Sequence, residues 1–381
     1  VSEQFGMAQT QIVPFPKGAM MTWGAFRESV KRGFKPGTVY TSDMYPPELR
    51  LDAALPAKTV VGDWEEFQHV DKKLRGQKVT VTMETPGGPM SLVSWVDADG
   101  KPLKAKMPMA TFEIELLTTD QKTALADFVA PEVFMTTVLK VPPIENRDMV
   151  HSIRYRLTSK TDASAVSGIP TTGMQSVTKQ NDRSVELEVS RLNHSPKSNY
   201  AKPASDLDDY LAANAVLNIN DPILIDLAKR AAGDEKDLFK LADRLRRFVT
   251  DYVADKSMDV GFATASEVAR NKSGDCSEHG VFLAALGRIA GIPSRVVVGL
   301  AYAPVFGGQS DIFGYHMWTQ FWIDGQWVDV DAALRETECS PARIALATSS
   351  LKDCALADLN FAILSKIGTL DLEIIEVKRN P

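Results

Sequence analysis

The chain has 381 residues, 44% of them apolar and 24% charged, with a formal net charge of -6 and a pI near 5.5. That balance describes a globular protein long enough for two packed domains, and with no Lys/Arg cluster or basic stripe evident it excludes the footprint that nucleic acid requires. The longest apolar stretch, Val281 to Ile292, is broken by Arg288 and is too short to span a bilayer, so no integral membrane segment is expected.

The chain starts at Val1 with no initiator methionine and no charged-then-apolar leader, a start that fits either a removed signal peptide or a trimmed chain. Up to about residue 195 the signals are those of strands. "QKVTVTME" alternates, "SLVSWVDADGKPL" contains an Asp-Gly turn, and "TFEIELL", "HSIRYRL" and "RSVELEVS" are β-rich runs bounded by turn residues. Residues 1–195 therefore predict an antiparallel β domain. The polar stretch from His194 to Ser205, with Pro196 and Pro203, reads as a linker.

Helices take over in a second domain over 206–381. Asp221 followed by Pro222 is a helix-start signature, and Leu238, Leu241, Leu245, Phe248 and Tyr252 recur at helical spacing. The acidic "SDLDD" near the linker lacks an EF-hand pattern and reads as a charged helix start, so no metal and no cofactor are assigned. The sequons at Asn193 and Asn271 read as chance matches.

In "NKSGDCSEHGVFLAALGRIAGIPSR", Asp275 followed at the third position by Glu278 predicts a capping box, with Cys276 the first residue inside the helix. A sulfur placed there faces unpaired backbone N–H groups and the positive end of the helix dipole, which favour its anionic form. His279 lies one turn deeper, with no acidic orienter in register, and is assigned a structural role. The basic partner of Cys276 is therefore sought downstream. In "YHMWTQFWIDGQWVDVDAAL", Asp324-Gly325 predicts a two-residue hairpin turn that pairs Ile323 with Gln326. Counting outward puts Trp318 opposite Asp331 and His316 opposite Ala333, so that Asp331 is diagonal to His316 on one face. The other face carries Met317, Phe321, Ile323, Val328 and Val330, a set suited to a core. The intervening "APVFGGQSDIFG" is read either as a rim or lid or as an ordinary connector. Of the three cysteines, Cys339 and Cys354 are expected to form a disulfide that leaves Cys276 free, which implies an oxidising compartment.

Taken together, "GDCSEH", "RIAGIPSRVVVGLAY" and "HMWTQFWIDGQWVDVDAA" resemble the transglutaminase-like superfamily of papain-related cysteine enzymes, in its bacterial secreted branch. The likeness is dense from about Ser266 to Ala333 and extends more faintly to "LDLEIIEV". It implies an α+β protein in which the amino-terminal β domain precedes a papain-like domain with a catalytic helix packed on an antiparallel sheet. It also implies a nucleophile at Cys276, a general base and acid at His316, and an orienting carboxylate at Asp331. Animal members take a second oxyanion donor from an upstream tryptophan. None lies between Trp95 and Trp318 here, so Tyr252 is the substitute, and Trp318 is either a cleft wall or hairpin packing. The resemblance implies a periplasmic or secreted enzyme acting on a polypeptide or small amide, with nothing to set its oligomeric state. The other reading is a catalytically silent binding or assembly module of the cell envelope.

Overall fold

The computed structural model describes residues 2–4, 7–9, 15–46, 53–70, 72–85, 88–109, 112–126, 137–161, 163–192, 205–256, 263–352, 359, 363 and 366–379. In chain order the elements begin with β1 (Ser2–Gln4) and β2 (Met7–Gln9), α1 (Thr22–Arg32), β3 (Val39–Met44), β4 (Leu55–His69), β5 (Lys72–Thr85), β6 (Gly88–Val96), β7 (Pro102–Met109), β8 (Phe112–Leu117) and the single turn α2 (Gln121–Ala124). Next come β9 (Leu139–Lys140), β10 (Val150–Ser159), β11 (Gln175–Gln180) and β12 (Ser184–Ser190). The helices α3 (Pro222–Ala232), α4 (Leu238–Tyr252), α5 (Ala265–Asn271) and α6 (Cys276–Ile289) follow, then β13 (Ser294–Phe306), β14 (Gln309–Ile323), β15 (Gln326–Val330), β16 (Arg343–Ser349) and β17 (Leu370–Arg379). This is the expected α+β composition. Among the described residues no helix is long and apolar enough to cross a membrane.

The chain forms two compact units. One comprises residues 12–132 and 360–367; its strands β3 to β8 pair antiparallel in simple chain order. The other comprises 1–11, 133–359 and 368–381. Strands β10, β11 and β12, which the sequence reading placed with the amino-terminal domain, lie in this second unit, because β17 adds itself to the edge of β10 and makes a four-stranded sheet in the order β11-β12-β10-β17. The expected linker, together with Asn193, falls outside the described residues.

The second unit is layered. Its five-stranded antiparallel sheet runs β15-β14-β13-β16, with β9 also on β14. Helix α6 packs on it through Phe321 and Thr319, whose hydroxyl donates to the Gly280 carbonyl at 2.8 Å. At Gly287 a Cβ would stand 2.3 Å from the Phe321 ring, so the helix and sheet meet where only glycine fits. The four-stranded sheet joins the five-stranded one through an edge-to-face pair of Tyr155 and Phe313 at 5.7 Å, and through Gln175, whose amide exchanges two hydrogen bonds with the Ala345 backbone. Cover on both sides explains why the first nine residues of β13 are all buried, whereas β12, covered on one side, alternates.

Helix α3 starts as expected, with Pro222 in its first turn and the Asp221 carboxylate accepting from the Ile223 N–H. In α4 the buried stripe is Leu238, Leu241, Leu245 and Val249, with Phe248 and Tyr252 half-buried at its margin and stacked on each other at 5.4 Å. The segment read as a rim or lid or as an ordinary connector is a tight hairpin. Gly307 and Gly308, both at positive φ, turn β13 straight into β14, and pairing continues to Phe306 opposite Gln309.

Candidate active site

Cys276 opens α6, and the capping box is formed. Asp275 accepts from the Ser277 N–H at 2.7 Å, and Glu278 reaches back to accept from the Asp275 N–H at 2.9 Å. Glu278 is wholly buried, and its second oxygen accepts from the Ala263 N–H at 2.8 Å, tying the helix start to the segment before α5. Burial first, and then the hydrogen bond and charge of Asp275, raise the Glu278 carboxyl to about 7. The folded chain thus holds a proton that the unfolded chain, at an ordinary 4.5, releases earlier. That contribution to stability is complete below the unfolded value and is lost as pH rises through about 7. The thermal midpoint should accordingly drop between about pH 4.5 and pH 7, and Glu278→Gln should remove that component; equal pH dependence in both proteins would assign it to other groups.

The hairpin forms with the expected register: Ile323 pairs with Gln326 and Thr319 with Val330 around a turn whose Asp324 and Gly325 both have positive φ. Met317, Phe321, Ile323, Val328 and Val330 are buried, as their parity requires. The ladder then ends three pairs short of His316 opposite Ala333. Asp331 pairs with Glu336 in place of Trp318, through reciprocal backbone bonds of 2.7 and 2.8 Å, because the chain turns back on itself across residues 332–335. The turn also brings the Leu334 N–H to Asp331 Oδ1 at 2.8 Å. Counting outward was wrong beyond Val330, yet Asp331 still meets His316.

His316 Nε2 donates to Asp331 Oδ2 at 2.7 Å. With Nε2 engaged, Nδ1 is the nitrogen left for Cys276, whose sulfur is near enough to raise the affinity of His316 for a proton. Burial opposes charge on the imidazole, but the Asp331 carboxylate, the bond to it and the Cys276 sulfur together raise it to about 10. Burial likewise opposes charge on Asp331. The imidazolium, the Arg343 guanidinium and the Leu334 N–H outweigh it and hold the carboxyl well below its usual range. Cys276 remains half-buried and open to small reagents.

His279 takes no part in this chain. Its Nδ1 donates to the Asp275 carbonyl of its own helix at 2.6 Å, and burial lowers its affinity for a proton. The Tyr252 hydroxyl donates to the Ala269 carbonyl at 2.7 Å, so its proton is committed there and the assignment as oxyanion donor is withdrawn. Trp318 is buried, its indole N–H bound to the Asp329 carboxylate and its ring alongside His316 at 6.1 Å and 20°; of its two readings, packing is the one the geometry fits. Gly299, the β13 partner of His316, gives that indole its space: a Cβ there would lie 2.7 Å from the ring and 2.0 Å from the Ile344 carbonyl oxygen.

Arg343 was missed by sequence reasoning. It is buried, donates to Asp331 Oδ2 at 3.3 Å and to Glu336 Oε2 at 2.5 Å, and covers the Trp318 ring at 5.1 Å. The signal for it was an arginine opening the apolar run "RIALA", a place where an unpaired charge would be costly. Cys339 is a free, buried thiol directed at the Glu336 carbonyl; Cys354, its expected disulfide partner, lies outside the described residues. Among the described residues no group of three or more His, Cys, Asp or Glu side chains could hold a metal ion.

Residues 225–332, which run from α3 through Cys276 and His316 to just past Asp331, match the model of the transglutaminase-like superfamily. The chain carries a transglutaminase-like domain. No curated protein matches the chain. Among solved structures, this chain overlaps a candidate cysteine protease from Cytophaga hutchinsonii, at 13% identity and TM-score 0.41, over 61% of this chain and 91% of that one. It also overlaps the periplasmic domain of TgpA from Pseudomonas aeruginosa bound to ethylmercury, at 15% identity and TM-score 0.33, over 53% and 78% of the two chains. A third is a candidate protease from Parabacteroides distasonis, at 10% identity and TM-score 0.25, over 77% and 72%.

Proposed function

We propose that the protein is a cysteine enzyme that cleaves or transfers an amide acyl group through Cys276, His316 and Asp331. The observation that carries this reading is the 2.7 Å bond from His316 Nε2 to Asp331, with the Cys276 sulfur near enough to the same ring to influence its charge.

In this mechanism the thiolate attacks the amide carbon. The carbonyl electron pair moves to oxygen, where the Cys276 N–H at the helix start donates to the oxyanion. Collapse breaks the C–N bond, and His316, charged through the neutral range, gives its proton to the departing amine. The thioester is then attacked by water or a second amine, whose proton returns to His316 as the thiolate leaves. Asp331 keeps Nε2–H bound, so that Nδ1 always faces the sulfur. The substrate is a polypeptide or small amide, and a periplasmic or secreted setting follows from the sequence resemblance to the secreted branch.

Iodoacetamide alkylation followed by peptide mass spectrometry tests the reading. At about pH 6, Cys276 in the native chain should be modified at least about tenfold faster than in His316→Ala, because the variant lacks the imidazole that pairs with the sulfur as it reacts. Equal rates would sink the triad and favour a silent binding or assembly module.

A further inference from the structure

Cross-strand register in the amino-terminal unit assembles an apolar face. Tyr40, Thr59, Val81 and Leu92 are successive partners across β3 to β6, and Met83 pairs with Met90 in the adjoining row. Directly paired residues share a face of the sheet, so both rows point the same way. They line a cavity of about 630 Å³, within the range of sites that enclose a small organic molecule. Helix α1 roofs it. The Ser29 hydroxyl meets the Tyr40 hydroxyl at 2.5 Å, and backbone bonds from Met20 to Asp43 and from Tyr45 to Met20 fix the helix entry. Yet α1 buries none of its own residues, and Val81, Met83, Met90 and Leu92 are only half-buried. Roof and floor stand apart with hydrocarbon on the floor, an arrangement whose unused hydrophobic stabilisation an apolar occupant would supply.

Two further features restrict the occupant. The floor offers scattered hydroxyls and no row of donors and acceptors, so it does not suit an extended peptide backbone, whereas flexible methionines adapt to a chain. The roof is cationic in an otherwise acidic protein. From Lys17 to Lys35 there are five basic residues against the single acid Glu28, a grouping that went unnoticed in the sequence. Of these five only Arg32, through Glu28, has an ion pair among the described residues.

We propose that this cavity binds the hydrocarbon chain of a long-chain fatty acid, with its carboxylate at Arg32, whose guanidinium lies 4.7 Å over the ring of the lining residue Tyr40. This site is separate from the chemistry proposed for Cys276 and stands or falls without it.

The test uses the full chain and cis-parinaric acid, whose fluorescence rises on entering an apolar cavity, with oleate as competitor. Saturable binding near one molecule per chain is expected. Filling the cavity with Val81→Trp or Leu92→Trp should weaken it about tenfold or more, equivalent to about 1.4 kcal/mol, while Arg32→Glu should weaken the acid but not the corresponding fatty alcohol. Absence of saturable binding by the native chain would overturn the proposal, as would unchanged affinity in a Trp variant that melts normally. Should both Trp variants fail to fold, a diazirine-bearing fatty acid decides on the native chain: crosslinks within residues 79–96 support the cavity, and crosslinks confined elsewhere refute it. Binding to anionic phospholipid vesicles without uptake of free oleate would also refute it, leaving α1 as a surface contact.

Discussion

Replacing Asp331 by Asn should leave the protein folded and lower its turnover of a peptide amide on the order of 10³–10⁴-fold, the scale on which a nucleophile–histidine–acid triad depends on its orienting carboxylate. Asp331 Oδ2 now takes the Nε2 proton of His316 at 2.7 Å, which reserves Nδ1 for Cys276. An amide can turn its NH₂ toward Nε2, which would move the ring proton to Nδ1, the wrong nitrogen for accepting a proton from sulfur. The same exchange removes the charge that holds His316 at about 10, leaving burial to push the imidazole down. Stability should change in a definite window. The raised His316 contributes below its ordinary 6.5 and loses that contribution as pH rises through about 10; the lowered Asp331 contributes above its ordinary 3.8 and loses it in strong acid. The native chain should therefore exceed Asp331→Asn in melting temperature most between those two ordinary values. Near-native turnover in the variant would reduce Asp331 to a structural carboxylate.

Arg343→Met should cost about 3–5 kcal/mol of stability, the usual penalty for deleting one partner of a buried charge cluster. Asp331 and Glu336 both lean on this guanidinium, and all three side chains are largely withdrawn from solvent. Without it, two carboxylates share a closed space, and one would be driven to take up a proton. Arg343→Lys should fall between the native chain and Met, since a single ammonium cannot fork to both acids. Urea unfolding monitored by tryptophan fluorescence provides the measurement, and a Met variant as stable as the native chain would show that packing over Trp318 is what matters at this position. A loss of activity larger than the loss of folded protein would mark Arg343 as positioning Asp331.

What could be read from the sequence was local. The capping box around Cys276 spans four residues, and the Asp324-Gly325 turn sets its own register for five pairs. Both are decided by backbone chemistry within a few positions. The miscount beyond Val330 arose where a tertiary demand, the reciprocal bridge between Asp331 and Glu336, displaced ladder continuation. The Gly307-Gly308 hairpin was hidden by a proline, three glycines and weak alternation in "APVFGGQSDIFG", features shared by loops and strand ends. The role of Arg343, signalled only by an arginine opening an apolar run, and that of Gly299 are set by tertiary contacts that local pattern does not reveal. The assignment of β10 to β12 followed composition, which cannot register that their sheet is completed by a strand more than 180 residues later.

That long-range closure has a consequence during synthesis. Strand β10 leaves the ribosome early, pairs with β12 within a few tens of residues, and then presents an open edge until Leu370–Arg379 arrives to bond with it. Throughout that interval the edge can recruit strands from other nascent chains. Pairings so distant in sequence also close slowly. Chains stalled or clipped before Leu370 should therefore accumulate as edge-paired aggregates, even though Cys276, His316 and Asp331 have all been made by then.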